Sequence, residues 1–220
     1  MAADAILKVR PMDATRSEAA ANPSPPDGED SDATPQGIGV LFLVVGPSGV
    51  GKDTLLDGAH AELAQDDAFV FARRVITRPA DAGGEAHEAV TPEVFKDAEA
   101  RGEFLVSWHA HGIAYGVRRT IHDDLLAGRN VLVNGSRGEI AAFARAWDRL
   151  VVVSITAPPD VVERRLKQRG REDGADVAAR LARAVPIRGA KHVVEIVNDR
   201  DVETGVSRLL SEILGAAYLP

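Results

Sequence analysis

The 220-residue chain contains no cysteine, which excludes disulfide bonds, thiolate metal sites and a cysteine nucleophile. It has no apolar run long enough to span a bilayer, so we expect no transmembrane helix. Basic residues are in the minority, and the net charge of −7 argues against a nonspecific nucleic-acid binder. With 45% hydrophobic and 27% charged residues, the composition is typical of a folded domain with a full core.

The start of the chain is poor in large apolar side chains. Residues 1–39 contain seven acidic and three basic side chains, and residues 22–32 form a turn-rich acidic run. Such a segment cannot bury enough surface to offset its ordering entropy. It also lacks the apolar core of a signal peptide and the Arg-rich character of a transit peptide. We therefore predict a disordered acidic N-terminal extension over residues 1–37 and one domain over residues 38–220.

The most informative motif follows six apolar residues, 40–45, which are typical of a strand buried on both faces. It is the glycine-rich run Gly46-Pro47-Ser48-Gly49-Val50-Gly51-Lys52. The glycines allow successive backbone N–H groups to converge on a phosphate at the N-terminus of the following helix. Lys52 would then reach the outer phosphates of a nucleoside triphosphate. The motif predicts nucleotide binding, and the alternative is a glycine-rich turn without a ligand.

One position departs from this phosphate-loop pattern. The residue after the lysine is usually Ser or Thr, whose hydroxyl binds Mg²⁺, but here it is Asp53, with Thr54 next. A carboxylate is a hard oxygen ligand, so we predict that Asp53 and Thr54 hold Mg²⁺, directly or through water. The alternative is that Asp53 is a helix-start residue that interacts favourably with the helix dipole.

Strand-like and helix-like segments alternate after the loop. We predict strands over residues 69–76, 104–109, 113–117, 131–133, 150–156 and 192–197. We predict helices over residues 54–64, 91–101, 119–127, 139–147, 160–169 and 202–213, with one more marked by Val177, Leu181 and Val185. This alternation predicts an α/β fold with a parallel sheet flanked by helices. Ligands of such sheets bind beyond the carboxyl ends of the strands, where Gly46, Arg78, Asn134 and Ala157 should emerge.

Two of the predicted helices begin with capping signals. Thr91 and Pro92 supply an N-cap and a first-turn proline for the second helix. Asp160 and Glu163, three residues apart, match a capping box that would open the fifth helix.

An arginine-rich segment follows the predicted strand 150–156. Arg165, Arg169 and Arg180 resemble arginines of the mobile lid of guanylate kinases. The resemblance implies that they close on the phosphates of ATP and stabilise the transferring group, a role that suits the planar, always charged guanidinium. The alternative is a solvated basic helix face. Asn198, with Asp199, resembles the adenine-side Asn-Asp of that family, although an Asx turn would also explain the pair.

The segment between residues 74 and 117 resembles the acceptor side of guanylate kinases in part. The matching residues are Thr77-Arg78-Pro79, Gly84-Glu85, Trp108 and Tyr115-Gly116. The resemblance implies that Arg78 grips an acceptor phosphate. However, Ser107 stands where those enzymes carry a base-reading glutamate, and Arg74 replaces a small polar residue. A site without hydrogen-bond partners for a base loses most of its discrimination, so we predict a sugar phosphate as the acceptor.

Taken together, the motifs resemble those of the ribose 1,5-bisphosphate phosphokinases over about residues 39–214. They are residues 46–53, 76–78, 107–110, 115–117, 131–137 and 169–172. The resemblance implies a guanylate-kinase-like P-loop NTPase fold with a lid at about residues 164–180 and a small acceptor-binding subdomain at about residues 74–117. It also implies ATP and Mg²⁺ as cofactors, and the synthesis of 5-phosphoribosyl 1-diphosphate from ribose 1,5-bisphosphate during phosphonate breakdown.

The predicted acceptor site combines several segments. Many P-loop kinases place an acid after the strand equivalent to 131–133 to hold Mg²⁺ through water, but here Asn134 follows, and Asp53 would supply the carboxylate. His109 and His111 alternate, so on a strand both would point to one face, as substrate contacts, a metal pair or structural residues. The predicted acceptor-binding side chains are Arg74, Arg78, Glu85, His87, Ser107, His109, Tyr115, Asn134, Ser136 and Arg137.

We therefore predict a cytoplasmic P-loop kinase that acts on a small sugar phosphate, with no nucleic-acid or membrane partner. Catalysis is assigned to Lys52, Arg165, Arg169 and Arg180. No general base is needed, because the acceptor phosphate oxygen is already anionic. One rival is a nucleoside monophosphate kinase of the GMP type. Another is a guanylate-kinase-like binding module without catalysis, against which the intact phosphate loop and the lid arginines argue.

Overall fold

The computed structural model describes residues 37–80, 85–168 and 187–217. Residues 1–36 of the predicted N-terminal extension, the helix marked by Val177, Leu181 and Val185, and the lid arginines Arg169 and Arg180 lie outside these ranges. The elements are β1 (Leu41–Val45), α1 (Lys52–Glu62), β2 (Phe69–Ala72), β3 (Arg74–Ile76), β4 (Glu88–Ala89), α2 (Pro92–Ala100), β5 (Phe104–Ala110), β6 (Ile113–Arg118), α3 (Ile121–Leu126), β7 (Asn130–Asn134), α4 (Ile140–Ala146), β8 (Leu150–Thr156), α5 (Pro159–Gln168), β9 (His192–Val197) and α6 (Val202–Ala217).

Five of the strands form a parallel sheet in the order β2-β7-β1-β8-β9. The central strand β1 is buried along its whole length, as its unbroken apolar run predicts for a parallel strand covered on both faces. The predicted parallel sheet flanked by helices is confirmed. Its carboxyl edge carries the loop after β1 and Asn134 at the end of β7.

Alternate side chains of β1 enter two separate cores. Phe42 and Val44 pack in one core with apolar side chains of α1 and α6, on one face of the sheet. Leu41, Leu43 and Val45 pack in the other core with side chains of α3 and α4. Helices therefore cover both faces of the sheet. Among the described residues, no helix is both long and apolar enough to cross a membrane.

The predicted strand 69–76 is wrong, because the segment forms two strands that belong to different sheets. β2 pairs in parallel with β7 in the large sheet, whereas β3 pairs with β4 and β6 in a second sheet of order β4-β3-β6-β5. The chain changes sheets at the exposed Arg73. Arg78, which follows β3, therefore does not emerge from the parallel sheet as predicted.

The second sheet is covered by α2. As predicted, Thr91 caps this helix: its hydroxyl accepts a hydrogen bond from Val94 N, with Pro92 in the first turn. Phe95 of α2 stacks on Phe104 of β5 with ring centroids 4.6 Å apart. The opposite face of the sheet contributes Trp108 and other apolar side chains to the core around α3 and α4.

Several predicted helix starts are displaced. α5 begins at Pro159, so Asp160 lies within its first turn and the predicted capping box is wrong. α4 begins one residue later than predicted, after a 3-10 turn over Arg137–Glu139. α1 begins at Lys52, two residues earlier than predicted, directly after the phosphate loop.

The side chain of Asn130 forms a hydrogen bond with the residue that precedes the central strand β1. Its side-chain Oδ1 accepts a hydrogen bond of 3.0 Å from Val40 N, and both residues are buried. We expect Asn130→Ala to lower the free energy of unfolding by about 1–3 kcal/mol, because a buried N–H would lose its acceptor. Urea unfolding monitored by circular dichroism measures this change. A loss below about 0.5 kcal/mol would show that another acceptor replaces the amide.

Candidate functional site

The phosphate loop has the predicted strand–loop–helix arrangement. Gly51 adopts a left-handed conformation with φ 94°, and a Cβ atom there would lie 2.6 Å from Asn198 Nδ2. At Gly46 a Cβ atom would lie 2.3 Å from the carbonyl oxygen of Ile155. Only glycine fits these two positions, because both the backbone conformation and the close contacts exclude a side chain.

Lys52 folds back over the loop. Its Nζ donates hydrogen bonds to the carbonyl oxygens of Gly46 at 2.9 Å and Pro47 at 3.2 Å. Burial lowers the pKa of the Lys52 ammonium below its usual value, and the neighbouring Asp53 carboxylate opposes this shift. The ammonium is thus a desolvated cation bonded to neutral carbonyl groups, an arrangement that anionic phosphate oxygens would improve.

The far side of the loop is held by two side chains that converge on one carbonyl group. Asn198 Nδ2 donates to Val50 O at 2.8 Å, and Arg165 Nη1 donates to the same oxygen at 3.2 Å. Arg165 also donates to the carbonyl oxygens of Asn198 and Arg200, at 3.1 and 3.3 Å. These bonds tie the phosphate loop to the segment that follows β9.

Arg165 and Asn198 therefore lie behind the phosphate loop. Arg165 is predicted to contact the transferring phosphoryl group, and in the structure its guanidinium donates hydrogen bonds to three main-chain oxygens. Asn198 was predicted on the adenine side, but its side chain is buried against Val50. Both side chains hydrogen-bond to the phosphate loop and neither lines the cleft. The roles that the resemblance implies for them stay predictions.

A cleft of about 610 Å³ opens in front of the phosphate loop. Segments from both sheets line it, namely the loop itself, the strand-end residues 134–137, and parts of the second sheet. Its charged side chains among the described residues are Lys52, Arg74, Arg78, Arg137, Asp53 and Glu85. Four cationic groups thus face two carboxylates, an excess that favours polyanionic ligands.

A polar network crosses the floor of the cleft. Asn134 Nδ2 donates to Asp53 Oδ1 and to Glu85 Oε2, at 2.8 Å each. Arg74 pairs with both oxygens of Glu85, and its Nε lies 3.1 Å from Oε2. The network joins α1, β7, β3 and the segment before β4 in one chain of hydrogen bonds.

One wall of the cleft is aromatic. The rings of Trp108 and Tyr115 stack with centroids 5.3 Å apart and planes within 9°. The guanidinium carbon of Arg74 lies 5.2 Å from the centroid of Tyr115 and 5.8 Å from that of Trp108. Arg74 is thus held between a carboxylate and an aromatic face, where a guanidinium is well stabilised.

Two further arginines lack partners for part of their guanidinium groups. The Nε atoms of Arg78 and Arg137 are buried and have no hydrogen-bond partner among the described residues. Burial lowers the pKa of Arg137 below its usual value, and Glu195 opposes this shift. Ser136 Oγ accepts a hydrogen bond of 3.3 Å from Gly138 N and so caps the 3-10 turn that positions Arg137.

Two predicted acceptor residues of β5 face away from the cleft. Ser107 Oγ donates to Glu99 Oε1 at 2.7 Å, and the exposed His109 ring lies 6.0 Å from that of Phe95, so both face α2. The identity of residue 107 therefore gives no information on whether the cleft can bind a nucleobase. The predicted common face of His109 and His111 is also wrong, because His111 lies in the β5–β6 turn with φ 52°. His111 lines the cleft.

Two other predicted residues also lie outside the cleft. His87 bridges the ends of the loop before β4, with its ring nitrogens 2.9 Å from Glu85 O and 3.0 Å from Arg78 O. Thr54 is half-buried in α1 and does not line the cleft, whereas Asp53 does. The strand alternation of β5, with Trp108 facing inward, was the signal that could have excluded Ser107 and His109.

Comparison with known proteins gives a matching family model and similar proteins. A family model described as an AAA domain matches residues 41–185. The ribose 1,5-bisphosphate phosphokinase PhnN of Agrobacterium fabrum is 47% identical over 164 residues, which are 74% of this chain and 90% of the relative. The chain belongs to the ribose 1,5-bisphosphate phosphokinase family.

Other relatives are much longer than this chain. A bifunctional ribose 1,5-bisphosphokinase-thymidine phosphorylase of Azorhizobium caulinodans is 50% identical over 179 residues, 81% of this chain but 26% of that protein. The chain thus spans about a quarter of the length of this relative. Among solved structures, guanylate kinase from Anaplasma phagocytophilum has a TM-score of 0.60 and 20% identity, and covers 83% of this chain and 88% of its own. This likeness confirms the guanylate-kinase-like fold.

The bond from Asn198 to the phosphate loop leads to a test. We expect Asn198→Ala to weaken ATP binding by about fivefold to tenfold, because the carbonyl oxygen of Val50 would lose the hydrogen bond that the Asn198 amide donates. Isothermal titration calorimetry measures the Kd. Ser207→Ala, an exposed change on α6, should leave the Kd unchanged. An unaltered Kd in Asn198→Ala would show that the other bonds fix the loop alone.

Proposed function

We propose that the chain transfers the γ-phosphoryl group of ATP to the 1-phosphate of ribose 1,5-bisphosphate, giving 5-phosphoribosyl 1-diphosphate and ADP. The observation that carries the proposal is the pair of buried Nε atoms of Arg78 and Arg137, which have no partner among the described residues. An unpartnered buried donor is costly, and phosphate is the ligand that the guanidinium fork fits. The relatives at 47–50% identity are ribose 1,5-bisphosphate kinases by name, which supports the same acceptor.

The donor nucleotide is assigned to the phosphate loop. The loop leads directly into the N-terminus of α1, where free main-chain N–H groups and the helix dipole favour the negative charge of the β- and γ-phosphates. Lys52 exchanges its bonds with the carbonyl oxygens of Gly46 and Pro47 for bonds with phosphate oxygens. Its charge then stabilises the phosphoryl group during transfer.

The acceptor is assigned to the opposite side of the cleft. Arg78 and Arg137 bind its phosphates, and the wall of Trp108 and Tyr115 packs against the sugar. The attacking oxygen belongs to a phosphate and is anionic, so no general base is required. Catalysis rests on holding the two phosphates in line and on stabilising their charge.

The residues of the cleft fit a Mg²⁺ ion. Asp53 brings a carboxylate beside Lys52 into the cleft. One carboxylate fits the usual mode of Mg²⁺ in kinases, which uses one or two carboxylates together with phosphate oxygens and water. Bound Mg²⁺ would neutralise phosphate charge. The catalytic roles of Arg165, Arg169 and Arg180 and the link to phosphonate breakdown stay predictions.

A substrate panel tests the proposal. With ATP and either ribose 1,5-bisphosphate, ribose 5-phosphate or GMP, we expect the bisphosphate to give a kcat/KM at least about tenfold above the others. Formation of 5-phosphoribosyl 1-diphosphate is measured by ³¹P NMR. Preferred consumption of GMP would overturn the acceptor assignment.

Lys52→Ala should reduce kcat to less than about a tenth of the wild-type value with the fold intact.

The acceptor arginine has its own test. We expect Arg78→Gln to raise the KM for ribose 1,5-bisphosphate by about 10- to 100-fold, because a charge-assisted hydrogen bond to phosphate is lost. The KM for ATP should stay within about twofold, since the phosphate loop is untouched. Steady-state kinetics measure both. Arg118→Gln is the matched control, because Arg118 pairs with Glu88 and Glu103 away from the cleft. Equal effects of the two variants would contradict the assignment.

A further inference from the structure

Two carboxylates from distant parts of the chain converge on one amide nitrogen. Asp53 Oδ1 and Glu85 Oε2 each lie 2.8 Å from Asn134 Nδ2, so the two oxygens are no farther apart than about twice this distance. Like charges at such a separation repel each other unless donors or a cation compensate them. Asp53 is at the start of α1, whereas Glu85 comes from the acceptor-side segment before β4.

Asn134 provides the second observation. It is only 7% exposed, and its Oδ1 is buried without a hydrogen-bond partner among the described residues. Reversing the amide would place its oxygen against both carboxylates, so the neighbours fix the orientation with Nδ2 toward Asp53 and Glu85. A buried, unpartnered amide oxygen beside two carboxylates indicates that the site is completed by a ligand that donates hydrogen bonds or is a cation.

The three side chains separate two cavities. They line the 610 Å³ cleft in front of the phosphate loop and also a cavity of about 110 Å³ on the other side, beside α1 and β2. The smaller cavity has room for several ordered water molecules. Hydrated Mg²⁺ keeps several of its waters and is held through them by one or two carboxylates. The trio is therefore placed to receive the hydration shell of an ion bound to the nucleotide phosphates.

We propose that Glu85 is a second carboxylate of the Mg²⁺ site, which binds water of the ion together with Asp53, while Asn134 Nδ2 donates a hydrogen bond to each of the two carboxylates. The inference rests on the proposed function, because it takes ATP with Mg²⁺ as the donor complex. It explains why β7 can end with the neutral Asn134 where many P-loop kinases have an acid. The Glu85 carboxylate, from the acceptor-side segment before β4, supplies the negative charge at this position. The competing role of Glu85 is to orient Arg74 alone.

The test compares nucleotide binding with and without metal. A non-hydrolysable ATP analogue is titrated into the full chain by calorimetry, once with Mn²⁺ and once with EDTA. We expect Glu85→Gln to reduce the gain in affinity from Mn²⁺ by about tenfold, the usual effect of losing a group that binds a metal through its ligands. Metal-free binding should be unchanged or tighter, because one negative charge leaves the cleft.

Control variants keep the test decisive. Glu88→Gln removes an exposed carboxylate that pairs with Arg118 and lines neither cavity, and it should behave as wild type. Glu85→Asp keeps the charge and should retain part of the metal effect. Wild-type affinity for the analogue in EDTA also shows that a variant is folded.

The outcomes separate the two roles of Glu85. If Glu85→Gln weakens binding equally with Mn²⁺ and with EDTA, or leaves the gain in affinity from Mn²⁺ unchanged, the proposal is overturned. The role of Glu85 is then limited to orienting Arg74. No sugar phosphate is present in this experiment. A wrong acceptor assignment would therefore appear in the substrate panel and not here.

Discussion

The parallel pairing of β1 with β7 is the constraint on which the cleft depends. Val44 pairs with Asn134, and Gly135 N donates to Val44 O at 2.9 Å, so the strand end of β7 lies directly beside the start of the phosphate loop. This register brings Asn134 within hydrogen-bond distance of Asp53. A slip by one residue would turn the Asn134 side chain to the other face of the sheet and break the network. The chemistry of the cleft thus rests on main-chain pairing in the core.

Features encoded by neighbouring residues could be predicted from the sequence. The phosphate loop, the Thr91 cap and the bounds of β8 and β9 were correct, because each depends on a local pattern of glycines, a capping hydroxyl or an apolar run. The parallel sheet followed from the alternation of such segments. By contrast, the split between β2 and β3 depends on which strands pair, and the sequence of residues 69–76 does not specify a partner strand.

Side-chain roles were harder to predict than the fold. A motif predicts that Arg165 is a cation near the lid, but it does not predict the hydrogen bonds of its guanidinium to main-chain oxygens of the phosphate loop and of the segment after β9. In the same way, the meeting of Asp53, Asn134 and Glu85 combines three segments whose separation along the chain says nothing about their distance. Predicting such contacts requires the tertiary structure, because they depend on how the two sheets are joined.

The alternation along β5 also has a consequence for how acceptor choice could change in evolution. Trp108 faces the cleft while Ser107 and His109 face α2, and the strand already tolerates an irregular register between Phe104 and Val106. Insertion or deletion of one residue ahead of Trp108 would turn a polar neighbour into the cleft and move the indole out. The phosphate loop, on another sheet, would not be disturbed. A single codon could therefore exchange an aromatic wall for a hydrogen-bonding one without altering the nucleotide site.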